Sequence, residues 1–132
     1  DKAKEFILNR IKNKQLIMGF GHRVYRNGDS RVPTMTEYYH KTASYYKNTE
    51  LPKISKILED TMLKEKNIKP NLDFPAGPTY YLMGFDIDFF TPIFIVSRIT
   101  GWCAHIMEQF ENNKLIRPLS KYTGTPHRKI EK

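Results

Sequence analysis

The chain has 132 residues, one domain's worth of length, with 39% apolar content, a net charge of +8 and a single cysteine. Those numbers allow a modest core and exclude an internal disulfide. They favour an acidic partner, either nucleic acid or a polyanionic small molecule such as coenzyme A. The basic residues are spread along the chain with no block of five or six, as expected of a solvated basic surface.

In chain order, Ala3, Phe6, Ile7 and Ile11 recur at helical spacing and predict an amphipathic first helix. Leu16-Ile17-Met18 then leads into Gly19-Phe20-Gly21-His22-Arg23-Val24-Tyr25-Arg26. Two glycines let the backbone take a left-handed turn or approach a ligand closely beside His22. Three arginines follow within nine residues, so carboxylates or phosphates suit this loop. Pro33 predicts the start of a second helix, with Met35, Tyr38, Tyr39, Thr42, Tyr45 and Tyr46 along one broad packing face. Pro52 predicts a third, carrying Ile54, Ile57, Leu58, Thr61 and Met62, that stops near Asn67.

Asp73 is expected in an extended segment among Pro70, Leu72, Phe74 and Pro75. An apolar shell of that kind raises a carboxylate's pKa towards the range of a general base. Pro78 is expected to begin a short helix through Met83, with Gly84 as its left-handed cap. Thr91-Pro92 marks the start of a long helix to about Asn112 or Asn113. Phe94, Ile95, Val96, Ile99, Trp102, Ile106 and Met107 make it apolar nearly all round, so burial against other helices or another subunit is expected. Cys103 within it is expected to be a buried thiol in a reducing compartment.

From Lys114 a basic, extended tail is expected. No stretch alternates with period two, which predicts an all-α fold. The N-terminal residues show no signal-peptide pattern. The apolar run of about 93–107 is short for a membrane span and carries Arg98 and His105, which predicts a soluble, cytoplasmic protein with no membrane partner.

Arg98 sits in the most apolar helix, where a buried guanidinium requires an anion, either an acidic side chain of this protein or a carboxylate ligand. His105 and Glu108 share a helix face, expected as a packed polar pair rather than a metal site. His40 and His127 are expected at the surface.

Several motifs, in order, carry a resemblance. They are the Gly-Phe-Gly-His loop, Lys69-Pro70-Asn71-Leu72-Asp73-Phe74, Phe90-Thr91-Pro92-Ile93-Phe94, Ser97-Arg98 and Gly101-Trp102-Cys103-Ala104-His105 through Glu108-Gln109, then Leu115-Ile116-Arg117-Pro118. Together they resemble the C-terminal part of citrate synthase and of its sister enzyme, 2-methylcitrate synthase, over nearly the whole chain. The resemblance implies a chain lacking the family's long N-terminal part. Residues 1–78 would be the small, CoA-binding domain and 79–132 a C-terminal segment of the large one.

It also implies roles. Asp73, matching Pro-Asn-x-Asp, would take a proton from acetyl-CoA or propionyl-CoA. His22 would polarise the oxaloacetate carbonyl. Arg31, Arg98 and Arg117 would hold carboxylates, Arg117 in the neighbouring subunit of a homodimer joined through the 92–112 helix. Leu16, Ile17, Met18, Gly19, Phe20 and Gly21 would receive the adenine end of CoA, with Asn71 also touching it. No metal and no permanently bound cofactor is implied; the CoA thioester is a substrate.

Many members read Asp-Pro-Arg where this chain has Asp29-Ser30-Arg31, which keeps the arginine and loses the stiffening proline. The family's further, upstream histidine, which stabilises the enol, has no counterpart before His22, so this chain alone is expected to be inactive. The run from Gly28 to Met35 looks more like the methylcitrate synthases. Acetyl and propionyl differ by one methylene, worth only about 1–3 kcal/mol in a pocket. A basic helical nucleic-acid-binding module is the alternative, supported by charge and tyrosines alone.

Overall fold

A computed structural model describes residues 2–125. Among these the elements are helices and turns, and the fold is all-α. Five α-helices are present: α1 Lys2–Lys12, α2 Val32–Tyr45, α3 Glu50–Lys66, α4 Asp73–Leu82 and α5 Phe90–Glu111. Backbone packing divides the chain into two compact units, Asp1–Phe94 and Ile95–Lys132.

In the first unit α2 packs mainly on α4, and α1 on α3. The apolar stripes anticipated from periodicity supply its core: Ile7 from α1, Tyr39 and Ala43 from α2, and Met62 from α3 are all buried, with Pro75 of α4 among them. Of the tyrosines on α2, Tyr39 alone packs inward, its hydroxyl 3.1 Å from Ser55 Oγ of α3. Tyr38, Tyr45 and Tyr46 are exposed, against the expected broad face. Two short neighbouring helices bury a narrower stripe than six α2 side chains could fill.

α3 and α4 both start earlier than expected, each beside an upstream asparagine that accepts an open N–H. α3 begins two residues before Pro52 because the Asn48 side chain accepts the Leu51 N–H at 3.0 Å, satisfying a donor the first turn leaves open. It ends where expected, at Asn67 in the left-handed conformation (φ 52°). α4 begins at Asp73 rather than Pro78, so Asp73 stands in a first helical turn and not in an extended segment. The Asp73 N–H has an acceptor in Asn71 Oδ1 at 3.0 Å. Pro75 falls in the first turn, where its missing N–H costs nothing. Pro78 is tolerated inside the helix. Gly84 takes the left-handed conformation expected of it (φ 83°). α5 starts one residue before Thr91, directly after a 3₁₀ turn at Ile87–Phe89.

In the second unit the apolar side chains of α5 are exposed, from 42% at Ile95 to 76% at Phe110. Cys103 is exposed too, which corrects the expectation of a buried thiol. Periodicity reports how apolar the helix is; it does not supply the surface that covers it. Ile87–Glu111 as a whole is long and apolar enough, by length and composition, to cross a membrane, because the flanking turns lengthen the run read from the sequence. Arg98, His105 and Glu108 lie within it. His105 and Glu108 form an exposed pair at 3.1 Å rather than a packed one. Residues 113–125 have no regular secondary structure and are exposed, as expected of the tail. His40 is exposed as expected, and His127 lies outside the described residues.

Candidate active site

The Gly19-Phe20-Gly21 stretch is stitched to residues 69–71 along its length. Gly21 N–H donates to Lys69 O and Asn71 N–H to Gly19 O, each at 2.9 Å, around a bridge between Phe20 and Pro70. The Asn71 side-chain amide donates to Gly21 O, also at 2.9 Å. Phe20 and Phe74 pack with ring centroids 4.6 Å apart.

Gly19 must be glycine for two reasons. Its φ is 85°, and an added Cβ would lie 3.2 Å from the Phe74 ring. The left-handed conformation alone costs other residues about 1–2 kcal/mol. A loop and a helix start that are 50 residues apart in sequence are thus one local structure, with His22 on one side and Asp73 on the other.

His22 is exposed, and its ring is oriented from behind. Nδ1 accepts the backbone N–H groups of Val24 at 3.1 Å and Tyr25 at 3.2 Å. A ring nitrogen that accepts carries no proton, so Nε2 bears the N–H and presents it outward as a donor. The Tyr25 ring lies against the imidazole, centroids 4.5 Å apart. Its face also receives the Arg31 guanidinium at 5.5 Å.

Arg31 is held by Asp29, which sequence reasoning passed over. Arg31 Nε and Nη2 donate to the two carboxylate oxygens at 2.9 and 2.7 Å, and the Arg31 backbone N–H adds a third bond at 3.0 Å. The Asp29 side chain is 1% exposed and that of Arg31 43%. The Asp-x-Arg spacing was the available signal, because it brings side chain and backbone of residue i+2 to one carboxylate. These bonds tie the loop together across Ser30.

The Arg31 guanidinium, aided by its backbone N–H and the nearby His22, holds the Asp29 carboxyl down from 3.8 to about 2. The carboxyl therefore binds a proton less readily folded than unfolded. Its stabilisation is complete above about pH 4 and is lost as pH falls through about 2. A carboxyl-detected NMR titration is expected to place the Asp29 midpoint near 2; a midpoint at or above 3.8 contradicts the pairing.

Asp73 lines two cavities. One, of about 500 Å³, is bounded by Ile17, Met18, Gly19 and Phe20 together with Phe6, Leu58 and Phe74. The other, of about 360 Å³, is bounded by Met35, Leu72, Gly77, Tyr80, Phe90 and Phe94. Four of the seven residues matched to CoA recognition therefore share a largely apolar cavity with Asp73. Leu16 is exposed and its carbonyl accepts from Arg10 Nη1 at 3.1 Å. Asp73 itself is exposed, so the apolar shell expected around its carboxylate is not assembled within this chain. Arg98 is exposed as well, which removes the premise that its guanidinium is buried. Arg117 is exposed in the tail of the second unit. No cluster of three or more metal-ligating side chains occurs among the described residues.

An all-α chain thus brings a glycine-bounded histidine loop, a Pro-Asn-x-Asp helix start and an apolar cavity beside Asp73 into one local structure. The family model for "Citrate synthase, C-terminal domain" matches residues 1–119, and the chain belongs to the citrate synthase family. It is 50% identical to 2-methylcitrate synthase 2 of Corynebacterium glutamicum over 98% of this chain and 34% of that protein. It is 53% identical to the citrate synthase of Mycolicibacterium smegmatis over 98% of this chain and 35% of that one. Among solved structures it is similar to the ternary complex of carboxymethyl coenzyme A and oxaloacetate with the Thermoplasma acidophilum citrate synthase. There the TM-score is 0.76 and the identity 37%, over 97% of this chain and 36% of that one. The chain thus spans about a third of the length of the relatives it matches.

Proposed function

We propose that this chain is the C-terminal part of an enzyme that condenses acetyl-CoA or propionyl-CoA with oxaloacetate. Asp73 removes a proton from the carbon next to the thioester carbonyl. The resulting enol carbon attacks the ketone carbon of oxaloacetate, whose oxygen accepts the Nε2–H of His22. Arg31, Arg98 and Arg117 hold the carboxylates, and Leu16 to Gly21 with Asn71 receive CoA. Water then cleaves the thioester, releasing free CoA and citrate or 2-methylcitrate.

The observation that carries this reading is the pair of backbone N–H groups directed at His22 Nδ1. Two backbone N–H groups occupy Nδ1, which leaves Nε2 as an outward hydrogen-bond donor beside the Asp73 segment. A neutral donor facing a ketone and a carboxylate facing a C–H acid are the pair an aldol-type condensation requires. The bound carboxymethyl-CoA and oxaloacetate of the Thermoplasma enzyme support the substrate assignment. Residues 1–78 are read as the CoA-binding small domain and 79–132 as a segment of the large one, in a cytoplasmic homodimer joined through residues 92–112. The family match disfavours a nucleic-acid-binding module.

The test follows free CoA after mixing oxaloacetate with acetyl-CoA or propionyl-CoA. The full-length enzyme is expected to turn over, and its kcat/KM ratio for the two thioesters names the acyl group. The 132-residue chain alone is expected to release no CoA above background, for want of the enol-stabilising histidine. A full-length enzyme that is inactive with both thioesters overturns the synthase reading, and sustained turnover by the short chain overturns its dependence on the rest.

A further inference from the structure

We propose that Asn71 is a positioning residue that sets the angle between the carbonyl-polarising histidine and the base, beyond any contact with CoA. The inference rests on the reading of His22 and Asp73 given above. Asn71 is half-buried, and both ends of its side chain are committed in opposite directions. Nδ2 donates to the Gly21 carbonyl at 2.9 Å, and Oδ1 accepts the Asp73 N–H at 3.0 Å.

The Gly21 carbonyl belongs to the peptide plane that leads into His22, so its bond to Asn71 fixes where the imidazole starts. That peptide matters because Gly21, at φ 76°, has no side chain of its own to pin it. On the other side, the Asp73 N–H and the Phe74 N–H, which bonds Asn71 O at 3.1 Å, fix the first turn of α4. One amide therefore spans the two reacting groups, and no other side chain among the described residues bonds both segments. An error of about 1 Å in such a pair costs on the order of 100-fold in rate.

Two substitutions separate the two bonds. Asn71→Asp keeps an oxygen for the Asp73 N–H and has no donor for Gly21 O, and Asn71→Ser keeps an oxygen but takes away the longer amide that reaches Gly21 O. In the full-length enzyme two reactions are compared. Exchange of the acyl-CoA α-protons with solvent, run with malate in place of oxaloacetate, needs the base but no ketone. Condensation needs both groups.

At saturating acyl-CoA both variants are expected to lose about 10- to 100-fold more in condensation kcat than in exchange kcat, since any lost contact with CoA falls on both reactions alike. The ¹³C shift of the ketone carbon of bound oxaloacetate is expected to move towards its value in free solution. That signal reports on whatever fraction is folded and loaded, so loss of stability does not mimic the result. Equal losses in both reactions, or an unchanged ketone shift, overturn the positioning role while leaving the synthase reading standing. A wild-type enzyme that performs neither reaction overturns the synthase reading and this inference together.

Discussion

Asparagine in place of Asp73 is expected to remove about 100- to 10,000-fold of kcat in the full-length enzyme, the range ordinarily supplied by a positioned general base. Oxaloacetate affinity is expected to stay close to wild type, because the groups assigned to that substrate are His22 and the arginines. The two cavities that meet at Asp73 are the reason for placing the thioester's reacting carbon there. The amide of asparagine keeps the shape and the first turn of α4 but accepts no proton at neutral pH. Steady-state kinetics with a direct binding measurement for oxaloacetate decides the matter. A variant with near-normal kcat removes Asp73 from the mechanism.

The second large effect concerns Arg117. It stands between Ile116 and Pro118, exposed, six residues past the end of α5. Its proposed role is in the active site of the twofold partner. An Arg117→Ala subunit and an Asp73→Asn subunit, each inactive as a homodimer, are expected to regain activity when mixed. If the arginine crosses over, the mixed dimer has one site carrying both changes and one carrying neither, so up to about half the wild-type activity per dimer returns. If the arginine serves its own subunit, every mixed site is damaged and no activity returns. The exposed apolar length of α5 is what such a partner would cover.

The helices were legible because their signals are local. The stripe of Ile7 or Met62 depends on spacing along one helix, and Asn67 and Gly84 end their helices by backbone conformation alone. What the sequence hid was long-range. The start of α4 was misplaced because the acceptor for the Asp73 N–H is a side chain two residues upstream that is itself held by a loop 50 residues away. The exposure of Asp73, Arg98 and Cys103 was not legible either, since apolar neighbours in sequence say nothing about what packs on them in space. Asp29 was visible as a letter beside Arg31. Its burial, and hence its command of the guanidinium, needed three hydrogen bonds that only the folded turn assembles.

The grip of Asp29 on Arg31 bears on how an anion would be received there. Free arginine side chains sample many rotamers, and a ligand that captures one must freeze it on arrival. Here Nε and Nη2 are already engaged, so the rotamers are chosen when the chain folds and the ordering cost falls on folding instead of on encounter. A carboxylate approaching Nη1 meets a donor that is already aimed. Because Asp29 cancels much of the formal charge, that donor acts at short range, by direction more than by field. Capture at such a group should respond weakly to ionic strength and strongly to the shape of the anion.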